Sequence, residues 1–167
     1  RTTSSAASDV YKRQVCGFLV MFMAAGFAML EAGSVTSKSV SVICAKNIGL
    51  FSIAGMMFWL FGYNLAYGIP EGGYIGKFLP WSDASAVETG YSDGSDWYFQ
   101  MVFCATTVSI CSGALAERIK LWPFLLFAAI LAGIIYPIVI GCQCGGGCLA
   151  SAGFSDFAGS TLVHSTG

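Results

Sequence analysis

The stretch Asp156-Phe157-Ala158-Gly159-Ser160-Thr161-Leu162-Val163-His164 decides how the chain is read. It places an acid and the only histidine of the sequence in one short segment that is otherwise apolar or small. The segments before it are long and apolar enough to cross a membrane. An ionisable group inside a membrane is costly, and by default it faces a pathway or a buried partner. A full span needs about 20 apolar residues. The sequence ends at Gly167, about one helical turn beyond His164. The expectation is a fragment whose fifth span is cut short.

Composition points the same way. The chain is 56% hydrophobic and 10% charged, with a mean hydropathy of +0.71, whereas soluble domains carry roughly 25% charged residues. This places it among polytopic membrane proteins, all-α in class. The net charge is -1, with no basic stripe and no nucleic-acid-binding motif, so no nucleic acid partner is expected. No paired carboxylates, nucleophile–base pair or phosphate-cradling loop is evident. The expectation is not an enzyme, and no cofactor is called for. Cys16, Cys44, Cys104 and Cys111 sit in or beside apolar runs, where cysteine behaves as a small hydrophobe. They define no disulfide framework.

Four spans and the start of a fifth are expected, at residues 15–32, 40–67, 98–115, 122–140 and from Asp156 onward. Pro137 breaks the fourth. A polar stretch rich in Gly, Ser and Asp fills residues 68–97, and a Gly-rich connector fills 141–153. Small residues recur at Ala24, Ala25, Gly26, Ala28, Ala32, Gly33, Gly113 and Ala114, where they let helices approach closely. The first link carries Lys38 and Lys46, and the third carries Arg118 and Lys120. The long second loop carries Glu71, Asp83, Glu88, Asp93 and Asp96 against Lys77. The positive-inside rule then puts the N-terminus outside. Lys12 and Arg13 oppose this, but residues 1–14 are polar, Ser-rich and unlike the rest. They read as a foreign leader rather than a signal peptide, because no apolar core followed by a small-residue cleavage site is present.

At this point a family resemblance emerges. Residues 25–33 (AGFAMLEAG), Lys46-Asn47, residues 58–63 (FWLFGY), 99–103 (FQMVF), 112–120 (SGALAERIK), Tyr136-Pro137, Gly145-Gly146-Gly147 and 156–164 occur in the order seen in ammonium transporters. The chain resembles the N-terminal half of that family from about Val15 to Gly167. The resemblance implies a homotrimer of eleven-helix subunits in the cell membrane. Each subunit has a narrow apolar pore between two inverted five-helix repeats. Residues 15–167 correspond to the first repeat.

Residue roles follow from the same resemblance. An ammonium ion must exchange its hydration for ring faces and a few acceptors, since cations are drawn to aromatic quadrupoles. Phe99 and Phe103 lie four apart on one helix face. The family places Phe99 in an outer recruitment vestibule and Phe103 as the outer member of a stacked phenyl gate. His164 corresponds to one of two pore histidines, the other lying beyond this chain. Imidazole can donate, accept or relay a proton near neutral pH. Asp156 corresponds to an acid below the vestibule that selects for cations through its field. From the residues alone it also reads as a helix N-terminal cap.

One departure matters. The connector reads Cys142-Gln143-Cys144-Gly145-Gly146-Gly147-Cys148, where related sequences commonly have tryptophan at the three cysteine positions. Cys144 stands at the tryptophan that completes the recruitment site, and a thiol offers no ring face. Trp and Cys codons differ by one base, and a stop codon read as Trp in one genetic code is read as Cys in another. Three replacements within seven residues therefore favour a decoding difference, although Trp59, Trp81, Trp97 and Trp122 survive. The rival reading is a soft-metal or redox site on the three thiols, which lacks a fourth ligand and a standard spacing. A sensor built on the transporter fold is a further alternative.

Overall fold

The computed structural model describes residues 2–70, 74–82, 92–157 and 159–167. Among these, all regular structure is helical: α1 (Thr2–Ser34), α2 (Val40–Met57), α3 (Tyr63–Tyr67), α4 (Asp93–Ala114), α5 (Leu121–Ile130), α6 (Tyr136–Gln143), α7 (Cys148–Ser151) and α8 (Ser160–Thr166). A π-helical turn, Phe58–Gly62, joins α2 to α3, and a second, Leu131–Ile135, joins α5 to α6. The chain therefore makes four long passes and begins a fifth. Val10–Ser34, Val40–Tyr67 and Leu121–Ser151 are long and apolar enough to cross a membrane. Helix α4 spans 22 residues, about 33 Å at 1.5 Å per residue.

Neighbour contacts fix the directions. Gly17 lies against Tyr98 and Phe99, while Ser112 reaches Glu31, so α1 and α4 run parallel. Lys46 meets Ser112 and Gly55 meets Met101, so α2 runs opposite to α4. Gly49 against Leu125 and Gly133 against Met57 make α2 and α5 parallel. The core between α2, α4 and α5 holds Leu50, Ala54, Phe58, Val102, Ala105, Val108, Phe124 and Ala128. Alanine at three of these positions lets the backbones approach. Buried hydroxyls in α4 need internal acceptors, because the surroundings offer none. Thr106, Thr107 and Ser109 donate to the carbonyls of Val102, Phe103 and Ala105, one turn back.

Several boundaries differ from expectation, each for a local reason. Helix α1 starts at Thr2, so residues 2–14 continue the first pass as helix, and Arg13 pairs with Asp96 of α4. That charge had been discounted as part of a leader. Helix α4 starts at Asp93, because acids in a first turn favour the positive helix end. Asp93 and Asp96 are thus helical and not loop residues, and Asp96 also accepts from the Tyr63 hydroxyl at 2.7 Å. Glu71, Asp83 and Glu88 lie outside the described residues. Pro137 does not break its pass. The π turn ahead of it, in which the Tyr136 amide donates to the Leu131 carbonyl, accommodates a residue without an N–H. The matching turn in the second pass is packed beside it. A Cβ at Gly62 would stand 2.6 Å from the Phe58 ring and 3.1 Å from Pro137, so only glycine fits.

Candidate functional site

Helices α1, α4, α6 and α8 converge at one end around a cavity of about 520 Å³. Phe99 and Phe103 form one wall, their rings edge to face with centroids 5.1 Å apart. Cys144 joins them from the C-terminal end of α6. Three of the residues singled out from the sequence are therefore brought together. Leu19, Val20, Ile140, Leu162 and Val163 complete apolar walls, with Gln100 as a polar group. A small cation entering such a space meets ring faces and few acceptors, which are conditions for selecting on desolvation.

The connector gains its shape from glycine. A Cβ at Gly145 would lie 2.0 Å from the Ala66 carbonyl oxygen, and one at Gly147 would lie 2.8 Å from Cys142 Cα. The chain can therefore turn tightly against α3 and bring Cys144 to the cavity. The three connector cysteines are free thiols, with Cys144 and Cys148 exposed and Cys142 half-buried. Among the described residues no group of three or more His, Cys, Asp or Glu is placed to hold a metal ion. The metal alternative thus finds no ligand set.

Asp156 and His164 stand outside the cavity lining. Asp156 Oδ2 accepts from the amides of Thr161 at 2.9 Å and Leu162 at 3.0 Å. It caps α8 from three residues before Gly159, which holds the N-terminal position with φ of 68°. The acid is thus a cap by its contacts, made from outside the helix across the turn at Gly159. His164 is exposed on α8, one residue past Val163, where the cavity wall stops. The cavity holds Phe103 and not His164.

Sequence reading missed two features here. Tyr136 is fully buried and lines the cavity, and its hydroxyl has no hydrogen-bond partner among the described residues. Phe157 is fully exposed beside it. Both were quoted within motifs, but their convergence depends on four separate helices. At the opposite end, Glu31 and Lys46 form a buried ion pair at 3.2 Å. Ser112 donates to Glu31 at 2.9 Å, Lys46 donates to the Ser112 carbonyl at 2.8 Å, and Lys46 Nζ sits 5.0 Å from the Phe124 ring centroid. This network ties α1, α2, α4 and α5 together.

Alternating apolar passes, buried charges held in pairs and an aromatic cavity between helices define a multi-pass membrane protein of helical-bundle type. More specifically, the chain belongs to the Ammonium Transporter Family, whose profile matches residues 14–167. It is 39% identical over 164 residues to a putative ammonium transporter of Synechocystis, covering 92% of this chain and 30% of that protein. It is 39% identical over 168 residues to the ammonium transporter Amt2 of Archaeoglobus fulgidus, covering 92% and 34%. Among solved structures it resembles a sensor Amt protein, with a TM-score of 0.85 and 31% identity over 98% of this chain and 42% of that one. Mep2 of Candida albicans follows with a TM-score of 0.81 and 26% identity, covering 93% and 35%. The chain spans about a third of the length of the curated relatives it matches.

Proposed function

We propose that this chain is the first inverted repeat of an ammonium transporter subunit, acting as a homotrimer in the cell membrane with its N-terminus outside. Ammonium is recruited at the aromatic cavity, and the ion then loses its proton. Ammonia crosses an apolar pore past His164 and is protonated again inside. The observation that carries the reading is the gathering of Phe99, Phe103 and Cys144 around one apolar cavity within the stretch matched by the family profile. Phe99 and Phe103 supply ring faces for the ion, and Asp156 biases the site toward cations by its field. His164 supplies a hydrogen-bonding group in a passage that has few. At Cys144 the native protein carries tryptophan, as it does at Cys142 and Cys148.

The test uses the full-length subunit, obtained by extending the source DNA past Gly167, with ammonium and potassium uptake measured in parallel. Phe103→Ala is expected to weaken ammonium uptake. His164→Ala is expected to change uptake sharply and to lower selectivity against potassium. Losing one hydrogen-bonding partner in a buried site costs roughly 1–3 kcal/mol. Unchanged rates and selectivity in both variants would reduce these residues to packing. The same DNA decides the connector. Ordinary cysteine codons would sink the tryptophan reading, and Cys144→Trp would then be expected to strengthen ammonium recruitment.

A further inference from the structure

From Ile48 onward the second pass turns one exposed stripe away from the core. Ile48, Ser52, Met56 and Trp59 follow at helical spacing. At Trp59 the stripe is taken up by residues 74–82, an irregular strap that runs back along the end of the pass. The Gly76 amide donates to the Leu65 carbonyl at 3.0 Å, the Lys77 amide to the Asn64 carbonyl at 3.2 Å, and the Trp81 amide to the Trp59 carbonyl at 2.8 Å. The Asn64 side-chain amide donates to the carbonyls of Leu79 and Pro80, both at 2.9 Å. A Cβ at Gly76 would lie 2.2 Å from the Asn64 carbonyl oxygen, so glycine lets the strap lie this close. The Phe78 ring rests against Phe61 with centroids 6.1 Å apart, and Trp81 packs on Trp97 of α4 at 5.6 Å.

The strap is nevertheless apolar on its open side. Tyr74 is 71% exposed, Ile75 50%, Phe78 58% and Leu79 54%, and Lys77 is an exposed cation among them. Its depth follows from the pass it lies on. Val40–Tyr67 spans 28 residues, about 42 Å at 1.5 Å per residue. That matches a whole bilayer of about 40–45 Å, of which about 30 Å is hydrocarbon. Acyl chains therefore give way to headgroups about four residues before the end of the pass, near Tyr63. The strap's bonds run from Leu65 to Trp59 and cross that level. Water is scarce there, so backbone groups need partners within the protein. The bonds to Trp59, Asn64 and Leu65 supply them.

We propose that residues 74–82 are a lipid anchor, seated where acyl chains meet headgroups in the leaflet at this end of the bundle. Ile75, Phe78 and Leu79 meet acyl chains and continue the lipid-facing stripe of the second pass. Tyr74 lies at the headgroup level, where aromatic residues with a polar end gather. Lys77 lays its stem along the apolar strap and brings its charge to an anionic headgroup. The anchor sets the depth of the second pass, and of α4 through Trp81 and Trp97. It depends neither on the transport reading nor on which side of the membrane this leaflet faces.

The test introduces Phe78→benzoylphenylalanine into the full-length subunit, held in nanodiscs of equal parts phosphatidylcholine and phosphatidylglycerol. Mass spectrometry after irradiation is expected to find lipid adducts, as for Ile48→benzoylphenylalanine on the same stripe. Adducts at position 78 are expected to be enriched in phosphatidylglycerol, and Lys77→Gln to remove that enrichment. Cross-links between subunits in place of lipid adducts would assign the strap to an interface between copies and overturn the anchor. Adducts at position 48 with none at 78 would overturn it too, because water then covers the strap. Equal yields of the two lipids refute the role of Lys77. If the position 78 variant does not fold, a phosphatidylcholine carrying an acyl-chain diazirine is used to label the unaltered subunit. Modification of residues 74–82 supports the anchor, and modification confined to the helices overturns it.

Discussion

Replacing Lys46 with methionine tests whether the buried ion pair organises the bundle. Both side chains are nearly inaccessible, 3% exposed for Lys46 and 2% for Glu31. Lys46 would lose three contacts: the Glu31 carboxylate, the Ser112 carbonyl and the Phe124 ring. Counted as ordinary polar contacts in a membrane protein, at about 0.6 kcal/mol each, they total about 2 kcal/mol. Stranding a carboxylate in the interior is a larger effect, about 3–5 kcal/mol. Lys46→Met is therefore expected to destabilise by more than about 3 kcal/mol. The double variant Glu31→Leu/Lys46→Met, which removes both charges, is expected to recover much of that loss, since apolar replacements of buried pairs are often neutral. Reversible unfolding in mixed micelles, followed by tryptophan fluorescence, measures both. A loss below about 1 kcal/mol for Lys46→Met, the range of an exposed pair, would refute the reasoning. So would a double variant no more stable than the single one.

Further predictions concern the two ends of the bundle. Asp156→Ala is expected to destabilise α8 by about 0.5–2 kcal/mol, the range for losing a helix cap. Hydrogen exchange at the Thr161 and Leu162 amides should accelerate in this variant, and protection left unchanged would count against the cap. Thr36 and Ser39 donate to Glu117 and hold its carboxyl below the ordinary value of 4.5. A lowered folded value means that the stabilisation is complete above pH 4.5 and disappears as pH falls through the lowered value. Exchange at the Thr36 amide, which donates to Glu117 at 2.9 Å, should therefore rise on acidification, and Glu117→Gln should remove that dependence.

The passes were legible because membrane insertion requires long apolar segments, and such segments stand out in sequence. Their ends were less legible. The start of α4 at Asp93 depends on acids in its first turn, and that polar stretch reads equally well as loop. The π turns were not visible, because they depend on the paired packing of Phe58, Gly62 and Pro137 across two passes. Within the site, Phe99 and Phe103 carried a local signal, their spacing of four on one helix. Cys144 came from resemblance alone. Tyr136 and Glu31 carried no local signal for their roles, since the significance of each lies in partners from other helices. The reach of Asp156 to amides beyond Gly159 depends on the left-handed turn at that glycine, which carries no local signal.

The charges in this bundle separate into two groups. Asp96 takes Arg13 and Tyr63, and Glu31 takes Lys46 and Ser112, so at each end of α1 and α4 an acid is neutralised from within the chain. Such pairing lets polar residues sit at membrane depth without opening a path for ions, because each charge is already answered. The groups left unanswered are then the informative ones. The Tyr136 hydroxyl borders the aromatic cavity, and Glu31 Oε1 belongs to a residue that borders the opposite one. Both atoms are buried and neither has a hydrogen-bond partner among the described residues, as holds also for Asn47 Oδ1, Trp97 Nε1 and Gln143 Oε1. A packed interior tolerates few such atoms, because each unmet group forfeits its hydration. Two of these residues, Tyr136 and Glu31, line the two cavities at opposite ends of the same helix pair, where the packing of the bundle is interrupted.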